Sequence, residues 1–462
     1  MRSVWLVGLF AVSQVLLGCT AAEPRQPNVL IILTDDQGTL DVNCYGATDL
    51  YTPNMDRLAN EGVRFTQAYA HKVCCPTRAA LLTGRHPQRS GVSSWTQNDM
   101  KGQPGVNMTL EEVTLAEVLR DAGYRTALFG KWHLGAAETH GPTRQGFETF
   151  FGHRGGFIDN YNHHFLHGQG FHDLYEGTTE VFKRDQYFPD LMTMRTLDYI
   201  EQHRDEPFFL FYSMNIPHYP EQADAKFDER YKDLPMPRQS YAKMVSTTDD
   251  RIGQVLAKLD DLGLTDDTII VFMSDNGHSA ENNNGIRADN HASGLPKGHY
   301  YLAFGGGGYT GKWRGHKNTF YEGGLRVPMM IRYPNRIDAA LVNDEIVTAM
   351  DIMPTLLELC GVQRPEGVAF DGVSVMPMLT HGTPSQHGVL HWGWRDGWAV
   401  REGDWKLIGQ GEKATELVNL SGDEPEQTNH LAGQPAIAEQ LLVRHRAWLH
   451  EVTPKSRPQG DN

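Results

Sequence analysis

Asn28-Val29-Leu30-Ile31-Ile32-Leu33-Thr34-Asp35-Asp36 is an apolar run, Val29 to Leu33, that breaks directly into two adjacent carboxylates. A short, uninterrupted, β-branched run reads as a strand buried on both faces, as in parallel sheets covered by helices. Four more runs share this texture: Arg125 to Phe129, Phe208 to Tyr212, Thr268 to Met273 and Pro328 to Arg332. Helical patterns separate them. Thr114-Leu115-Ala116-Glu117 is a capping box, Leu115, Val118, Leu119 and Ala122 form an apolar stripe, and Gly123 ends the helix. Tyr241 to Leu262 and Ile352 to Leu359 read as helices too. The alternation predicts an α/β fold, a large, mostly parallel sheet sandwiched by helices.

Beyond about residue 380 the texture changes. Gly388 to Ile408 alternates in short β-like pieces and Ala436 to Leu449 reads as a helix. The expected organisation is therefore a catalytic domain over 26–380 and a small C-terminal α+β subdomain over 381–455, with a short antiparallel sheet and a helix. Upstream, Arg2 and the apolar run Val4 to Leu17 form a signal peptide, too short to span a bilayer. Leu16-Leu17-Gly18-Cys19 resembles a bacterial lipobox. That places the signal at 1–18, makes Cys19 the lipidated first residue, and predicts an exported protein anchored in the bacterial envelope, periplasmic or at the cell surface. Cleavage nearby, at Ala21-Ala22, is the alternative. With 42 Lys+Arg against 57 Asp+Glu, the net charge of −15 leaves no broad basic field for nucleic acid. An anionic substrate then needs a local cationic pocket.

In open α/β sheets, ligands bind beyond the carboxyl ends of the strands. The first strand ends in Asp35-Asp36 and the Thr268 to Met273 strand runs into Asp275-Asn276-Gly277-His278. Three carboxylates and an amide at one edge suit a hard cation such as Ca²⁺ or Mg²⁺. Each pair alone is more often a turn or helix cap.

Cys74-Cys75-Pro76-Thr77-Arg78, followed by Thr83-Gly84-Arg85, resembles the signature of the type I sulfatases of the alkaline phosphatase superfamily, Cys-x-Pro-Ser/Thr-Arg. Thr77 stands where many members have Ser. Further motifs follow in order: Gly130-Lys131-Trp132-His133, then His218 in Asn215-Ile216-Pro217-His218, then Lys317 ahead of Glu322-Gly323-Gly324-Leu325-Arg326. The resemblance extends to Glu416-Leu417-Val418-Asn419-Leu420 and so covers nearly the whole mature chain.

It implies an alkaline-phosphatase-like fold and a sulfuric ester hydrolase. Its nucleophile is the hydrate of formylglycine (3-oxoalanine), made from Cys74 by a separate maturase. It implies one Ca²⁺, held by Asp35, Asp36, Asp275, Asn276 and an oxygen of modified Cys74. Arg78 then holds the nucleophile, Lys131 and Lys317 neutralise sulfate oxygens, His133 meets the second hydroxyl of the hydrate, and His218 with Lys317 protonates the leaving oxygen. From the exported location, the expected substrate is a sulfated polysaccharide or oligosaccharide. Competing readings are an arylsulfatase of small substrates, a phosphonate monoester or phosphodiester hydrolase of the same superfamily, and a non-catalytic surface glycan-binding protein. His153, His163, His164, His167 and His172 match no tight zinc spacing. With Gly155-Gly156-Phe157, Tyr161 and Phe165 they are read as a loop near the substrate entrance.

Overall fold

The computed structural model describes residues 26–96, 106–167, 170–282, 287–288, 292–294, 299–300, 302–422 and 425–453. The segment expected to be a signal peptide, and Cys19, lie outside these. The main sheet has ten strands, in the spatial order Leu341–Thr348, Val63–Tyr69, Met329–Arg332, Thr268–Ser274, Asn28–Asp35, Phe208–Pro217, Arg125–Lys131, Thr149–His153, Tyr175–Glu176 and Thr179–Glu180. The central strands run parallel. The Met329–Arg332 strand is antiparallel to both its neighbours, so the sheet is mixed though mostly parallel.

The first strand shows why an unbroken apolar run is needed. Val29, Ile31 and Leu33 enter one core with Ala79, Leu82, Leu115 and Leu356. Leu30 and Ile32 enter the other with Met55, Met192, Met244 and Ile252. Period-2 alternation thus sends successive apolar side chains into two different helical layers. Each such burial is worth roughly 1.5–3 kcal/mol. The helices Cys74–Thr83, Leu115–Asp121 and Ile352–Cys360 supply the first layer. Pro53–Asn60, Phe188–Gln202 and Arg238–Asp261 supply the second. The Thr114 capping box forms as the sequence predicts, with Glu117 as its reciprocal partner.

A four-stranded antiparallel sheet, Val389–Trp394, Gly397–Glu402, Trp405–Gln410 and Lys413–Asn419, carries the helix Pro435–Val452 on one face. It is fixed to the main body by polar contacts. Lys406, fully buried, sits between Glu322 at 2.8 Å and Glu426 at 2.6 Å. Trp392 donates its indole N–H to the Ala70 carbonyl. Among the described residues no helix is long and apolar enough to cross a membrane.

Parallel pairing decides where the chemistry collects. Asp35 pairs with Pro217, Thr34 with Ser274 and Gly130 with Ser213. Asp35-Asp36, Lys131, His218 and Asp275-Asn276 therefore leave the sheet at one edge.

Candidate active site

Cys74 is the first residue of the helix Cys74–Thr83, in which all ten residues are buried. The residue before the helix, Val73, is extended and offers no side-chain cap. Its N-terminus therefore presents partial positive charge toward the same edge, favouring an anion there. Thr77 clamps the helix in place, accepting from the His71 amide at 2.8 Å and donating to the Asp275 carbonyl at 2.6 Å.

One ligand atom each from Asp35, Asp36, Asp275 and Cys74 lie within 4.8 Å of one another, all buried. Each carboxylate is backed by a cation: Lys131 Nζ is 2.6 Å from Asp35, Lys317 Nζ is 2.8 Å from Asp36, and the Arg78 guanidinium is 2.8 Å from Asp275. Burial still pushes Asp36 up to about 7, with Lys317 opposing and the two neighbouring carboxylates adding to the rise. Asp275 is raised by burial and by Asp35. Burial, Asp275 and Asp35 likewise push the Cys74 thiol up, and its Sγ donates to Asp35 at 3.4 Å. Three buried carboxylates this close repel one another, and a divalent cation among them would relieve that repulsion. Asn276 adds a second sign. Its Nδ2 donates to Asp36 at 2.7 Å, while its Oδ1 is buried without a partner. Three carboxylates and an orphaned amide oxygen fit a hard divalent cation, and Asn276 joins the set as the sequence suggests.

Above this floor is a cavity of about 320 Å³ that Cys74, His133, His218 and Lys317 all line. Lys317 is placed by its backbone N–H, which donates to the His278 carbonyl. Burial works against its charge, but Asp36 holds the ammonium well above its ordinary range. Lys131 is likewise kept charged by Asp35 against burial. His133 has a φ of 54° and stacks on Trp95 at 6.1 Å. Burial, Lys131 and Arg78 push it well below 6.5, so it is neutral. His218 is held by Nδ1, 2.5 Å from the Tyr219 carbonyl, leaving Nε2 3.5 Å from Asp36. Burial and the two lysines keep it neutral in the free site. A bound dianion or monoanion would favour its protonation.

Arg78 is fully buried and, among the described residues, makes no hydrogen bond to the Cys74 thiol. It bonds Asp275, the Lys131 carbonyl at 2.9 Å and Ser213 at 2.5 Å. It thus ties three strand ends together and acts on residue 74 through Asp275. Of the five histidines from 153 to 172, only His167 lines the cavity, with Gly156 and Phe157. His153 turns back on Gly155, His163 on Gln186 and His172 on Glu180. Tyr161 packs at a tilt against Tyr187 and does not line the cavity. Three lining residues escape the sequence analysis, Trp95, Tyr219 and Glu281. Glu281 lies 3.6 Å from Lys317, whose charge holds its carboxyl low against the upward push of burial. No local pattern marks any of the three.

The family profile described as Sulfatase matches residues 27–362, and one described as N-sulphoglucosamine sulphohydrolase, C-terminal, matches residues 311–443. The N-acetylgalactosamine-6-sulfatase of Homo sapiens is 30% identical over 421 residues, covering 83% of this chain and 74% of that protein. Among solved structures, Ps i-CgsB, in complex with k-i-k-neocarrahexaose, superposes with a TM-score of 0.79 at 26% identity, over 93% of this chain and 94% of that one. The PsFucS1 sulfatase from Pseudoalteromonas sp. superposes with a TM-score of 0.72 at 27% identity, over 94% and 92%.

Proposed function

The chain belongs to the sulfatase family and is a sulfuric ester hydrolase; on that premise we propose that it removes sulfate from sulfated oligosaccharides or polysaccharides. In this reading residue 74, matured from cysteine to formylglycine, is the nucleophile, and Asp35, Asp36, Asp275 and Asn276 hold a calcium ion. One observation carries it: the side chain of residue 74 lies both within the carboxylate cluster and on the wall of a cavity lined by His133, His218 and Lys317. Calcium supplies positive charge to the sulfate oxygens and the nucleophile, and formylglycine supplies a hydrated aldehyde with two hydroxyls.

The chain's own side chains do the rest. Lys317, charged and on the cavity wall, faces sulfate, and Lys131, charged and buried behind Asp35, adds a second cation where charge redistributes as the S–O bond breaks. Lys317 and His218 stand on the side open to the cavity, where the leaving alkoxide takes a proton. His133, neutral and braced by Trp95, accepts a proton from residue 74. Arg78 positions Asp275. The rings of Trp95 and Phe157 offer apolar faces for a sugar. Support for a glycan comes from the relatives: the human one is an N-acetylgalactosamine-6-sulfatase, and Ps i-CgsB is seen with k-i-k-neocarrahexaose.

Peptide mass spectrometry of the Cys74 segment, paired with sulfate release from sulfated glycans, aryl sulfates and a phosphonate monoester, tests this. The expected result is a mass loss of roughly 18 Da at residue 74, unlike the gains of ordinary thiol oxidation, and sulfate release that favours glycans. A thiol that persists when a maturase is co-expressed sinks the mechanism, and faster phosphonate cleavage sinks the substrate class. The proposal extends to an exported enzyme anchored through lipidated Cys19. A mature membrane-fraction protein beginning elsewhere than Cys19 overturns that part.

A further inference from the structure

The active-site cavity does not end at Lys317. A second cavity of about 180 Å³ shares Trp95, Glu281 and Lys317 with it, and also touches Asn318. Asn318 in turn lines a third, of about 420 Å³, between the loop 318–321 and the hairpin turn 394–397 of the C-terminal sheet. The three lie in series, neighbours joined by shared wall residues, and make one run of cavities from Cys74 to the C-terminal sheet. Its walls are tied together. The Asn318 amide donates to the Lys72 carbonyl at 2.7 Å, the Arg395 amide donates to the Ser93 carbonyl at 3.0 Å, and Trp394 packs edge-on against Trp95 at 5.1 Å.

Two cations face this outer groove. Lys72, half-buried and two residues before Cys74, rests its ammonium over the Phe320 ring at 4.2 Å. Arg395 is exposed at the tip of the hairpin, where φ is 55°. Among the described residues neither has a carboxylate within 4.0 Å, although many other arginines and lysines of this acidic chain are paired. The lining carboxylate, Asp396, instead accepts from Gln410. Burial pushes Lys72 down to about 8, with Asp396 opposing and Arg395 adding to the fall. Two unpaired cations in a concave groove are poised for an anion.

We propose that this groove is a second anion subsite, in which Lys72 and Arg395 hold the sulfate or carboxylate of a sugar next to the one whose ester is cleaved. The inference rests on the sulfatase reading and narrows its substrate to oligosaccharides with at least two negative groups. Neither residue touches the reacting atoms. Both act on affinity and register.

The test compares the mature full-length enzyme with Arg395→Asn, which suits the left-handed turn, Lys72→Gln, and the double variant. The residue-74 mass shift is confirmed in each. One substrate set is singly charged, a monosaccharide sulfate and an aryl sulfate. The other is a panel of oligosaccharides carrying a second sulfate or a uronate. Each single variant is expected to raise KM roughly tenfold on the second set, the loss of one charge-assisted contact. On both sets kcat should stay within about twofold, and KM on the first set should not move. The salt dependence of KM on the second set should flatten in the double variant. An unchanged KM in the double variant, equal losses on both sets, or a panel that is neither cleaved nor competes with the monosaccharide sulfate overturns the subsite. Calorimetric binding of the panel to the same variants reads the groove independently of turnover. Wild-type enzyme that binds the panel through Lys72 and Arg395 but releases no sulfate from either set fails the catalytic reading while leaving the subsite standing.

Discussion

At the scale of single residues, the site pairs each functional anion with its own cation, and that arrangement sets what a substitution does. Cys74→Ala removes the precursor of the proposed nucleophile but no ion-pair member, so sulfate release should vanish while the thermal midpoint stays within a few degrees; a large fall in the midpoint would make Cys74 a core residue instead. Lys317→Ala strips Asp36 of its partner at 2.8 Å and the cavity of a cation. The expected loss is about 10²–10³ in kcat, the range for removing one transition-state donor, with a smaller effect on unfolding. Unchanged kcat would take Lys317 out of the chemistry. Chelation should act in the same direction. Removing a hard cation leaves Asp36 near 7 and Asp275 raised by burial, so the stripped enzyme should lose activity, recover it with Ca²⁺ and melt lower, as calorimetry with and without chelator will show. Cys74, Asp36 and Asp275 were legible at a helix start and two strand ends, whereas Lys317, in a turn, was legible only through the family resemblance. Trp95, Tyr219 and Glu281 were not legible, because they reach the cavity only through contacts distant in sequence.

At the scale of elements, the strands that reach the site were legible as apolar runs, and their ends were the useful part. The Val63–Tyr69 strand went unread because Arg64, Thr66 and Gln67 interrupt it; it is only partly buried, and its pairing with Met329–Arg332 and Leu341–Thr348 supplies what its composition lacks. Backbone proximity is equally invisible to pattern. A Cβ on Gly277 would lie 1.9 Å from the Gly323 carbonyl oxygen, where the turn after Asp275-Asn276 meets the Glu322–Leu325 segment. Glycine is required there by close approach. Gly277→Ala must push the two loops apart, at a cost of about 1–3 kcal/mol, and must shift Asp275 and Asn276 with them. Activity should therefore fall more steeply than denaturant stability accounts for, with Ca²⁺ affinity reduced. An alanine variant of wild-type stability and metal affinity would show that the loops can part freely.

At the scale of the whole molecule, the C-terminal sheet was legible as a change of texture, but what locks it in place was not, since the partners lie tens to hundreds of residues apart. Lys406→Met leaves the buried Glu426 without its cation and Glu322 with Arg326 alone, and removing one member of such a group costs about 3–5 kcal/mol. The second lock titrates. His387, just before the C-terminal sheet, lies 2.8 Å from Asp351 at the start of the Ile352–Cys360 helix. Burial alone would lower its pKa, but the Asp351 hydrogen bond and charge raise it above 6.5. The folded state thus binds this proton more tightly than the unfolded chain, so the lock contributes fully below about pH 6.5 and fades as pH rises through the raised value. His86, held down to about 4, and His391, held down to about 3, work the other way as pH falls below 6.5. The comparison must therefore be His387→Gln against wild type, in which those two cancel. Denaturant unfolding should show the variant less stable by about 1–2 kcal/mol at pH 6, with the gap narrowing at pH 9. A gap that is constant or widens with pH would mean that His387 is held in its neutral form, and that the contact with Asp351 carries no charge.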